Sequence, residues 1–283
     1  MNNMTVEELL VLGKKHIHSD HAKILLANLI NKNPLELLTC LDEIVEEEKV
    51  EIYKKEINAL EEGKPIQYVL GNVNFYGNTF YINENVLIPR FETEELVEKT
   101  TNYINKYFTK PVDILDLGTG SGVIGLTLEK KVSTNSVDLV DISKEALEVT
   151  NKNCELLKSK ANAILSDMFE NVNNKYDVII SNPPYIKTNE EIEAIVKNNE
   201  PHIALYGGED GLNLYRKILR DINKYLNEKS IIAFEIGYTQ GNDIKELIKE
   251  VLPNSIIRIE KDLSDKDRYI FAFNNISLHW FSS

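Results

Sequence analysis

Residues 112–122 read Val-Asp-Ile-Leu-Asp-Leu-Gly-Thr-Gly-Ser-Gly, an apolar run that leads directly into a turn rich in glycine. The apolar run predicts a buried strand, and residues 122–131 predict the helix that follows it. Glycine permits sharp turns and lets the backbone approach a ligand closely. A strand, a glycine turn and a helix in this order are typical of a site that binds a nucleotide.

Strands and helices alternate on both sides of this stretch, from about residue 95 onward. The predicted strands are residues 112–117, 136–141, 162–166, 177–181, 230–236, 255–259 and 269–273. The predicted helices are residues 122–131, 144–158, 215–226 and 243–251. This alternation predicts an α/β fold around a mostly parallel sheet. Ligands of such sheets bind at the carboxyl ends of the strands, so motifs located there are the candidates for a site.

The sequence pattern of the first 65 residues predicts helices only. Thr5 and Glu8 have the spacing of a capping box before an apolar run. Asn33 and Pro34 predict the start of a further helix. That helix is expected to bury Leu37, Leu38, Leu41, Ile44 and Val45. Two more helices are predicted around residues 24–30 and 51–62.

A hairpin is predicted between the helical region and the α/β region. Residues 73–76 and 79–82 predict two short strands around Gly77-Asn78, and residues 86–89 predict another extended piece. We therefore predict three parts: a helical domain over residues 1–65, a β-hairpin linker over residues 66–92 and an α/β domain over residues 93–275.

Composition limits the class of protein. The 283 residues include 32 Lys and Arg against 45 Asp and Glu, a formal net charge of -13. Binding nucleic-acid phosphates requires clustered Lys and Arg, so this charge argues against nucleic acid as the main partner. The sequence predicts neither a membrane helix nor a secretory signal. Cys40 and Cys154 lie far apart in the sequence, so they predict neither a metal site nor a disulfide framework and fit a reducing cytoplasm. We also expect a monomer.

The glycine turn and a later carboxylate predict a cofactor that carries a ribose. The spacing Gly120-x-Gly122-x-x-Gly125 satisfies the dinucleotide pattern, and Asp141 ends the second strand. A carboxylate at that position can accept hydrogen bonds from both ribose hydroxyls, as NAD or S-adenosylmethionine would require. The alternative is a tight turn beside a surface carboxylate.

Asp116 favours S-adenosylmethionine over NAD. It lies two residues before Gly118, where a negative charge opposes a pyrophosphate but suits a cationic sulfonium. Asp167, after the third strand, can accept from the adenine amino group or cap a helix. Met168 or Phe169 can cover the adenine ring.

The Asn-Pro-Pro-Tyr motif at residues 182–185 closes the fourth predicted strand. A primary amide or an aromatic amine is a poor nucleophile because its lone pair is delocalised. The Asn182 side-chain oxygen and the Pro183 carbonyl can each accept one N–H of such a group, which turns the lone pair towards a methyl donor. The Tyr185 ring offers a flat surface for a flat substrate group. The motif predicts methyl transfer to a planar nitrogen, accelerated mainly by alignment.

These residues resemble the protein-(glutamine-N5) methyltransferases of peptide chain release factors, the PrmC/HemK family. The resemblance spans roughly residues 65–273, and the helical region matches in size and placement. Further matching blocks lie at residues 65–71, 88–94, 200–205, 207–211, 235–240 and 262–268. The sequence departs from many relatives at Phe91, where they carry proline, and at Ser264-Asp265, where they carry glycine.

The resemblance implies a Rossmann-like, seven-stranded S-adenosylmethionine-dependent methyltransferase fold with an antiparallel last strand. It implies transfer of a methyl group from S-adenosylmethionine, leaving S-adenosylhomocysteine, to the amide nitrogen N5 of the glutamine in the release factors' Gly-Gly-Gln motif. Residues 1–65 would help to hold the release factor, and residues 93–275 would form the catalytic domain.

The matching motifs also imply the site residues. The cofactor would contact Gly118, Thr119, Gly120, Ser121, Gly122, Asp141, Asp167, Met168 and Asn182. The glutamine would contact Asn182, Pro183, Pro184 and Tyr185, of which Asn182, Pro183 and Tyr185 are the expected catalytic residues. Arg90 and Phe91 are further candidates for substrate binding. Phe91 could wall the active-site cleft or simply pack. Arg90 could bind a substrate carbonyl or pair with Glu92 or Glu94.

Three other functions stay open. An adenine-N6 methyltransferase of nucleic acid would use the 182–185 motif equally well, although it must flip a base and grip phosphates. A methyltransferase of a ribosomal-protein glutamine would share the chemistry and differ in its N-terminal region. A cofactor-binding scaffold without catalysis is the third, and the intact motif argues against it.

Overall fold

The computed structural model describes residues 4–277. In chain order the elements are β1 (Met4–Thr5), α1 (Val6–His16), α2 (Ser19–Leu29), β2 (Ile44–Val45), α3 (Glu47–Glu61), α4 (Ile66–Leu70), β3 (Asn72–Phe75), β4 (Asn78–Tyr81), α5 (Phe91–Tyr107), β5 (Val112–Leu117), α6 (Val123–Lys131), β6 (Thr134–Asp141), α7 (Lys144–Leu157), β7 (Asn162–Leu165), β8 (Tyr176–Ser181), α8 (Ala194–Asn199), α9 (Asn213–Asp221), β9 (Leu226–Glu235), α10 (Gly241–Val251), β10 (Ile256–Lys261) and β11 (Asp267–Asn274). None of the helices within residues 4–277 combines the length and the apolar character that crossing a membrane requires.

The chain divides into two compact units. Unit 1 consists of Met1–Asn72 together with Glu193–Asn199, and unit 2 consists of Val73–Ile192 together with Glu200–Ser283. The segment Glu193–Asn199 joins unit 1 although it lies far from it in sequence, and the Asn199 side-chain amide donates to the Gly63 carbonyl at 3.0 Å.

Unit 1 is mainly helical, as predicted. The capping box of Thr5 and Glu8 is confirmed, because each side chain accepts a hydrogen bond from the other residue's backbone N–H, at 3.2 and 2.9 Å. The core of unit 1 is formed by apolar side chains of α1, α2 and α3, including Leu9, Leu25 and Tyr53.

The prediction of a helix that begins at Asn33 is wrong. The Asn33 side chain accepts from the backbone N–H groups of Leu35 and Glu36, but only a short 3-10 turn, Glu36–Thr39, follows, and the chain then forms β2, which pairs with β1. Two of the five side chains that the helix was expected to bury are exposed, Leu38 at 72% and Ile44 at 66%. The backbone of Ile44–Val45 bonds to β1 instead of continuing a helical pattern, so only alternate residues such as Val45 face the core.

Unit 2 contains the predicted α/β fold. Its seven strands are arranged in the order β10-β11-β9-β8-β5-β6-β7. The strands β9, β8, β5, β6 and β7 are parallel, and β11 runs antiparallel to both of its neighbours. The antiparallel last strand implied by the family resemblance is therefore confirmed. β3 and β4 form a separate two-stranded sheet, while the piece predicted to be extended at residues 86–89 has no strand.

Apolar clusters cover both faces of this sheet. Ile114 packs on one face with side chains of α5 and α6, and Leu115 packs on the other with side chains of α9 and α10. Successive residues of a strand point to opposite faces, so apolar residues at successive positions of β5, such as Ile114 and Leu115, are buried on opposite faces of the sheet.

The parallel strands end at one edge of the sheet, and their order determines which residues meet there. β9 ends at Glu235, β8 at Ser181, β5 at Leu117 and β6 at Asp141. The residues that follow the strand ends, including Gly118 and Asn182, are brought to this edge. The edge is the expected location of a ligand site in an open α/β sheet.

Candidate active site

The glycine turn after β5 leaves its backbone open to a ligand. Gly118 and Gly120 have φ angles of 68° and 56°, in the left-handed region that favours glycine, and a Cβ atom on either residue would have no neighbour within 4 Å. Gly122, with a φ of 82°, is the N-cap residue of α6. Because the space above Gly118 and Gly120 is open, the backbone amides of this turn can be approached closely.

Asp141 is fixed beside the turn. Its Oδ2 accepts from the Gly120 N–H at 2.8 Å, and its Oδ1 accepts from the Ser143 N–H at 2.9 Å. Burial raises the pKa of this carboxyl, and the backbone hydrogen bonds oppose the increase. A carboxylate has about four acceptor positions, so the two backbone bonds leave capacity for ribose hydroxyls.

Asp116 lies beneath the turn and is fully buried. Its Oδ2 accepts from the Thr119 hydroxyl at 2.6 Å and from the Gly125 N–H at 3.0 Å. Burial raises its pKa to about 6. Asp116 is not among the described residues that line the cavity above the turn, so it supports the shape of the turn from below rather than contacting a ligand there.

A cavity of about 280 Å³ lies above the turn. Every predicted cofactor residue except Gly122 lines it, as do Asn182 and Pro184 of the predicted substrate set. Pro183, Tyr185, Arg90 and Phe91 are not among its described lining residues. Thr93, Ile142 and Lys217 also line the cavity and were not identified from the sequence as cofactor residues. The cavity is close in size to the smaller ligand pockets of proteins.

Asp167 and Met168 line the cavity together with Lys217. The Asp167 carboxylate accepts from the Lys217 ammonium at 2.5 Å, and no helix begins at Asp167, so the alternative that it is a helix N-cap is wrong. Met168 lines the cavity, whereas the Phe169 ring is buried and stacks on Tyr225 at 4.3 Å between centroids. Of the two side chains expected to cover an adenine ring, only Met168 lines the cavity.

Asn182 is held by a chain of hydrogen bonds that ends at a buried carboxylate. Its side-chain Nδ2 donates to Thr93 Oγ1 at 3.2 Å, and the Thr93 hydroxyl donates to Glu235 Oε2 at 2.8 Å. The Tyr185 hydroxyl donates to the other carboxylate oxygen, Oε1, at 3.4 Å. Burial raises the pKa of Glu235 to about 7 and raises that of Tyr185 well above its ordinary value.

The remaining backbone of the 182–185 motif is tightly packed. A Cβ atom on Gly207 would lie 2.4 Å from the Pro184 carbonyl oxygen, and one on Gly211 would lie 2.3 Å from the Tyr185 carbonyl oxygen. The Gln240 side chain donates to the same Tyr185 carbonyl at 3.0 Å. The two glycines and Gln240 therefore fix the course of the chain after Asn182.

Arg90 and Phe91 lie at the start of α5. Arg90 pairs with Glu200 at 2.5 Å, so the expected alternative of pairing with Glu92 or Glu94 is wrong. Phe91 is 60% exposed, so it is not part of the buried core. Substrate contacts by Arg90 and Phe91 stay predictions.

This fold and site define a class of protein, the S-adenosylmethionine-dependent methyltransferases. A 16S rRNA methyltransferase of T. thermophilus, solved with AdoMet and guanosine, has a TM-score of 0.53 at 18% identity, covering 72% of this chain and 50% of that chain. A methyltransferase from Pyrococcus furiosus also gives 0.53 at 18% identity, covering 70% of this chain and 89% of that chain. These similarities show the fold.

Sequence relatives show the family. The family models of the PrmC N-terminal domain and the methyltransferase small domain match residues 12–71 and 91–203. The release factor glutamine methyltransferase of Bacillus cereus is 38% identical over 88% of this chain and 90% of its own length. That of Streptococcus pneumoniae is 40% identical over 81% of each chain. The chain belongs to the family of release factor glutamine methyltransferases.

Proposed function

We propose that the protein transfers a methyl group from S-adenosylmethionine to the side-chain amide nitrogen N5 of the glutamine in the Gly-Gly-Gln motif of peptide chain release factors. One observation carries the proposal. The Asn182 amide lies at the wall of the cavity with its nitrogen bonded to Thr93, which leaves its oxygen as an acceptor for a substrate N–H.

The residues of the cavity fit S-adenosylmethionine. The open glycine turn accommodates close approach of the methionine part, Asp141 has acceptor capacity for ribose hydroxyls, and Met168 offers an apolar surface for adenine. Asp167, held by Lys217, can accept from the adenine amino group. When bound, the cofactor supplies an electrophilic methyl group on a sulfonium.

In this proposal the chain's own groups position the glutamine amide. Asn182 Oδ1 and the Pro183 carbonyl each accept one N–H, so that the nitrogen lone pair faces the methyl group. With the cofactor bound, this orientation would let the amide nitrogen take the methyl group as the sulfur leaves as a thioether, and one N–H proton would then pass to solvent. These acceptors stabilise the transition state because the two N–H groups become more acidic as the nitrogen gains the methyl group. Holding the reacting atoms in line can be worth roughly 7–11 kcal/mol.

We also propose roles for the three predicted parts of the chain. Residues 1–65 dock the release factor, residues 66–92 act as a linker and residues 93–275 carry the methyl transfer. The relatives named above act on release factors according to their names, and a protein substrate is consistent with the formal net charge of -13. We expect the protein to act as a cytoplasmic monomer.

The test is a methyl-transfer assay with labelled S-adenosylmethionine. The acceptors are a release factor and the same factor with the Gly-Gly-Gln glutamine changed to alanine, and mass spectrometry locates the label. We expect label on the intact factor only, and a strong reduction of labelling with Asn182→Ala. Transfer to DNA, or to a ribosomal protein in place of the factor, would support the alternatives of an adenine-N6 or a ribosomal-protein methyltransferase.

A further inference from the structure

We infer that Glu235 is a positioning residue that acts through Thr93 to fix which end of the Asn182 amide faces the methyl acceptor. The inference rests on the proposed function, since it concerns how the same site holds its substrate amide. It assigns a role to two residues outside the 182–185 motif.

Three elements bring the relay together. Thr93 lies in the first turn of α5, Glu235 is the last residue of β9, and Asn182 directly follows β8. The Asn182 Nδ2 lies 3.2 Å from Thr93 Oγ1, which lies 2.8 Å from Glu235 Oε2. Thr93 and Glu235 are 3% and 2% exposed. Water therefore has little access to the contact between Thr93 and Glu235, which is buried.

The number of hydroxyl protons determines the orientation of the amide. The Thr93 hydroxyl has one proton, and a carboxylate can only accept, so that proton is donated to Glu235. Thr93 Oγ1 can then only accept from Asn182, which requires the amide nitrogen on that side. The amide oxygen is consequently turned away from Thr93, where it can accept from a substrate N–H. Without the carboxylate, the threonine proton could serve Asn182 Oδ1 and the amide could invert.

The other oxygen of the same carboxylate contacts the other end of the motif. The Tyr185 hydroxyl lies 3.4 Å from Glu235 Oε1. The Arg268 guanidinium donates to the Asp262 carboxylate at 3.2 Å and to the Ile236 carbonyl at 3.4 Å. Hydroxyl groups of Thr93 and Tyr185, rather than a cation, are thus the hydrogen-bond donors to Glu235. Burying a carboxylate in this way is unfavourable for folding, and such groups concentrate at functional sites.

The first experiment measures steady-state methylation of a release factor by three variants. Both Thr93→Val and Glu235→Gln keep the side-chain size. Thr93→Val removes the hydroxyl, and Glu235→Gln replaces a group that can only accept with an amide that can also donate to Thr93. We expect kcat to fall about 10- to 100-fold. The KM for S-adenosylmethionine should change less than about threefold, since the effect is on orientation. Thr93→Ser, which keeps the hydroxyl, should restore most of the loss.

Thr100→Val is the matched control. Thr100 is a buried threonine of the same helix, and its hydroxyl donates to the Leu96 carbonyl at 2.7 Å. Its variant removes an equivalent hydroxyl without reaching Asn182. A kcat that falls as far in Thr100→Val as in Thr93→Val would mean that the loss is structural and would overturn the inference. If Thr93→Val does not fold, Glu235→Gln carries the same comparison.

A double-mutant cycle tests whether the relay acts through Asn182. If it does, Thr93→Val should reduce the residual activity of Asn182→Ala less than about twofold, because Asn182 is already absent. A further loss of tenfold or more in the double variant would show that Thr93 acts by another route and would overturn the inference.

A measurement without substrate separates this inference from the proposed function. In protein labelled with ¹⁵N-asparagine, the Asn182 side-chain proton that is donated to Thr93 should exchange slowly with solvent, and Thr93→Val or Glu235→Gln should accelerate its exchange at least tenfold. If the exchange rate in both variants equals that of the wild type, the inferred relay is wrong, even if the wild-type enzyme methylates the release factor. Accelerated exchange together with no methylation of the factor would leave the relay standing and reject the proposed substrate.

Discussion

The Arg90 guanidinium and the Glu200 carboxylate, 110 residues apart in the chain, form an ion pair of 2.5 Å in which the Glu200 side chain is only 2% exposed. The second carboxylate oxygen accepts from the Ile88 N–H at 3.1 Å, and Arg90 also donates to the Ile88 carbonyl at 2.8 Å. Glu200 therefore ties the segment before α5 to the segment that follows α8. Pro89, which precedes Arg90, and Pro201, which follows Glu200, both line the cavity.

Glu200→Gln should destabilise the protein by about 2–4 kcal/mol, because the amide group would face Arg90 and leave a partly buried guanidinium without its carboxylate. Chemical denaturation measures the change. Asp210→Asn is the control, since Asp210 pairs with Arg216 in the same way but both side chains are about half exposed. That variant should lose less than about 1 kcal/mol. Equal losses in the two variants would contradict the idea that burial determines the difference.

The relay predicts that kcat rises with pH. Burial raises the pKa of Glu235 from 4.5 to about 7. Below that pH the protonated carboxyl can donate to Thr93, and the Asn182 amide loses its fixed orientation. The groups that face Glu235 are Glu92, Tyr185, Tyr215, Arg268 and Tyr269. We expect kcat to increase between about pH 6 and pH 8 and then to level off. The same inflection in Glu235→Gln would assign it to another group.

The stability effect of Glu235 has the opposite sign. A carboxyl whose pKa is raised in the folded state contributes stability that is present below its ordinary value of 4.5 and is lost as the pH rises through about 7. From about pH 5 to pH 8, the wild type should lose on the order of 2–3 kcal/mol relative to Glu235→Gln. Urea denaturation across this range measures the difference. If the difference in unfolding free energy between the wild type and Glu235→Gln did not vary with pH, ionisation of Glu235 would not destabilise the folded protein.

Gly125→Ala should destabilise unit 2 by about 1–3 kcal/mol through overpacking. A Cβ atom on Gly125 would lie 2.2 Å from Leu139 Cδ2 and 3.2 Å from Asp116 Cβ, and both side chains are fully buried. Thermal unfolding measures the loss. In a Leu139→Ala background the new methyl group has room, so Gly125→Ala should add little further loss. Additive losses in the two backgrounds would contradict the contact with Leu139.

Lys217→Met should weaken binding of S-adenosylmethionine by a factor of about 2–5, because Lys217 holds the Asp167 carboxylate at the cavity. Isothermal titration calorimetry measures the Kd. Lys224→Met is the control, because Lys224 pairs with Asp221 and is not among the described residues that line the cavity. A Kd that is unchanged in Lys217→Met would show that Asp167 keeps its position without the lysine.

Much of unit 2 was predictable because its signals are local. The apolar run of β5 and the glycines after it specify a strand and an open turn through the conformations that those residue types allow. The helix expected from Asn33 failed for a different reason. Its cap is formed, but the pairing of Ile44–Val45 with β1 is a tertiary contact, and it overrides the local preference.

The hydrogen-bond and ion-pair partners of the site residues were harder to predict from the sequence. The sequence suggested Glu92 or Glu94 as the alternative partners of Arg90, whereas its partner, Glu200, lies in another loop of the chain. Thr93 and Glu235 appeared in matching blocks without a role. A threonine at the start of a helix and a glutamate at the end of a strand are both common and indicate no function. Only the distance of 2.8 Å between Thr93 Oγ1 and Glu235 Oε2 shows that the two residues belong to one chain of hydrogen bonds.

The sequence by itself determined the α/β class, the glycine turn and the chemistry expected of the 182–185 motif, because these depend on residue type and spacing over a few positions. Only the tertiary structure decided that Asn182, Thr93 and Glu235 meet at one edge of the sheet. That meeting depends on the strand order, in which β8 lies between β5 and β9. Strand order is set by packing among segments distant in the chain, and no local preference of Asn182, Thr93 or Glu235 encodes it.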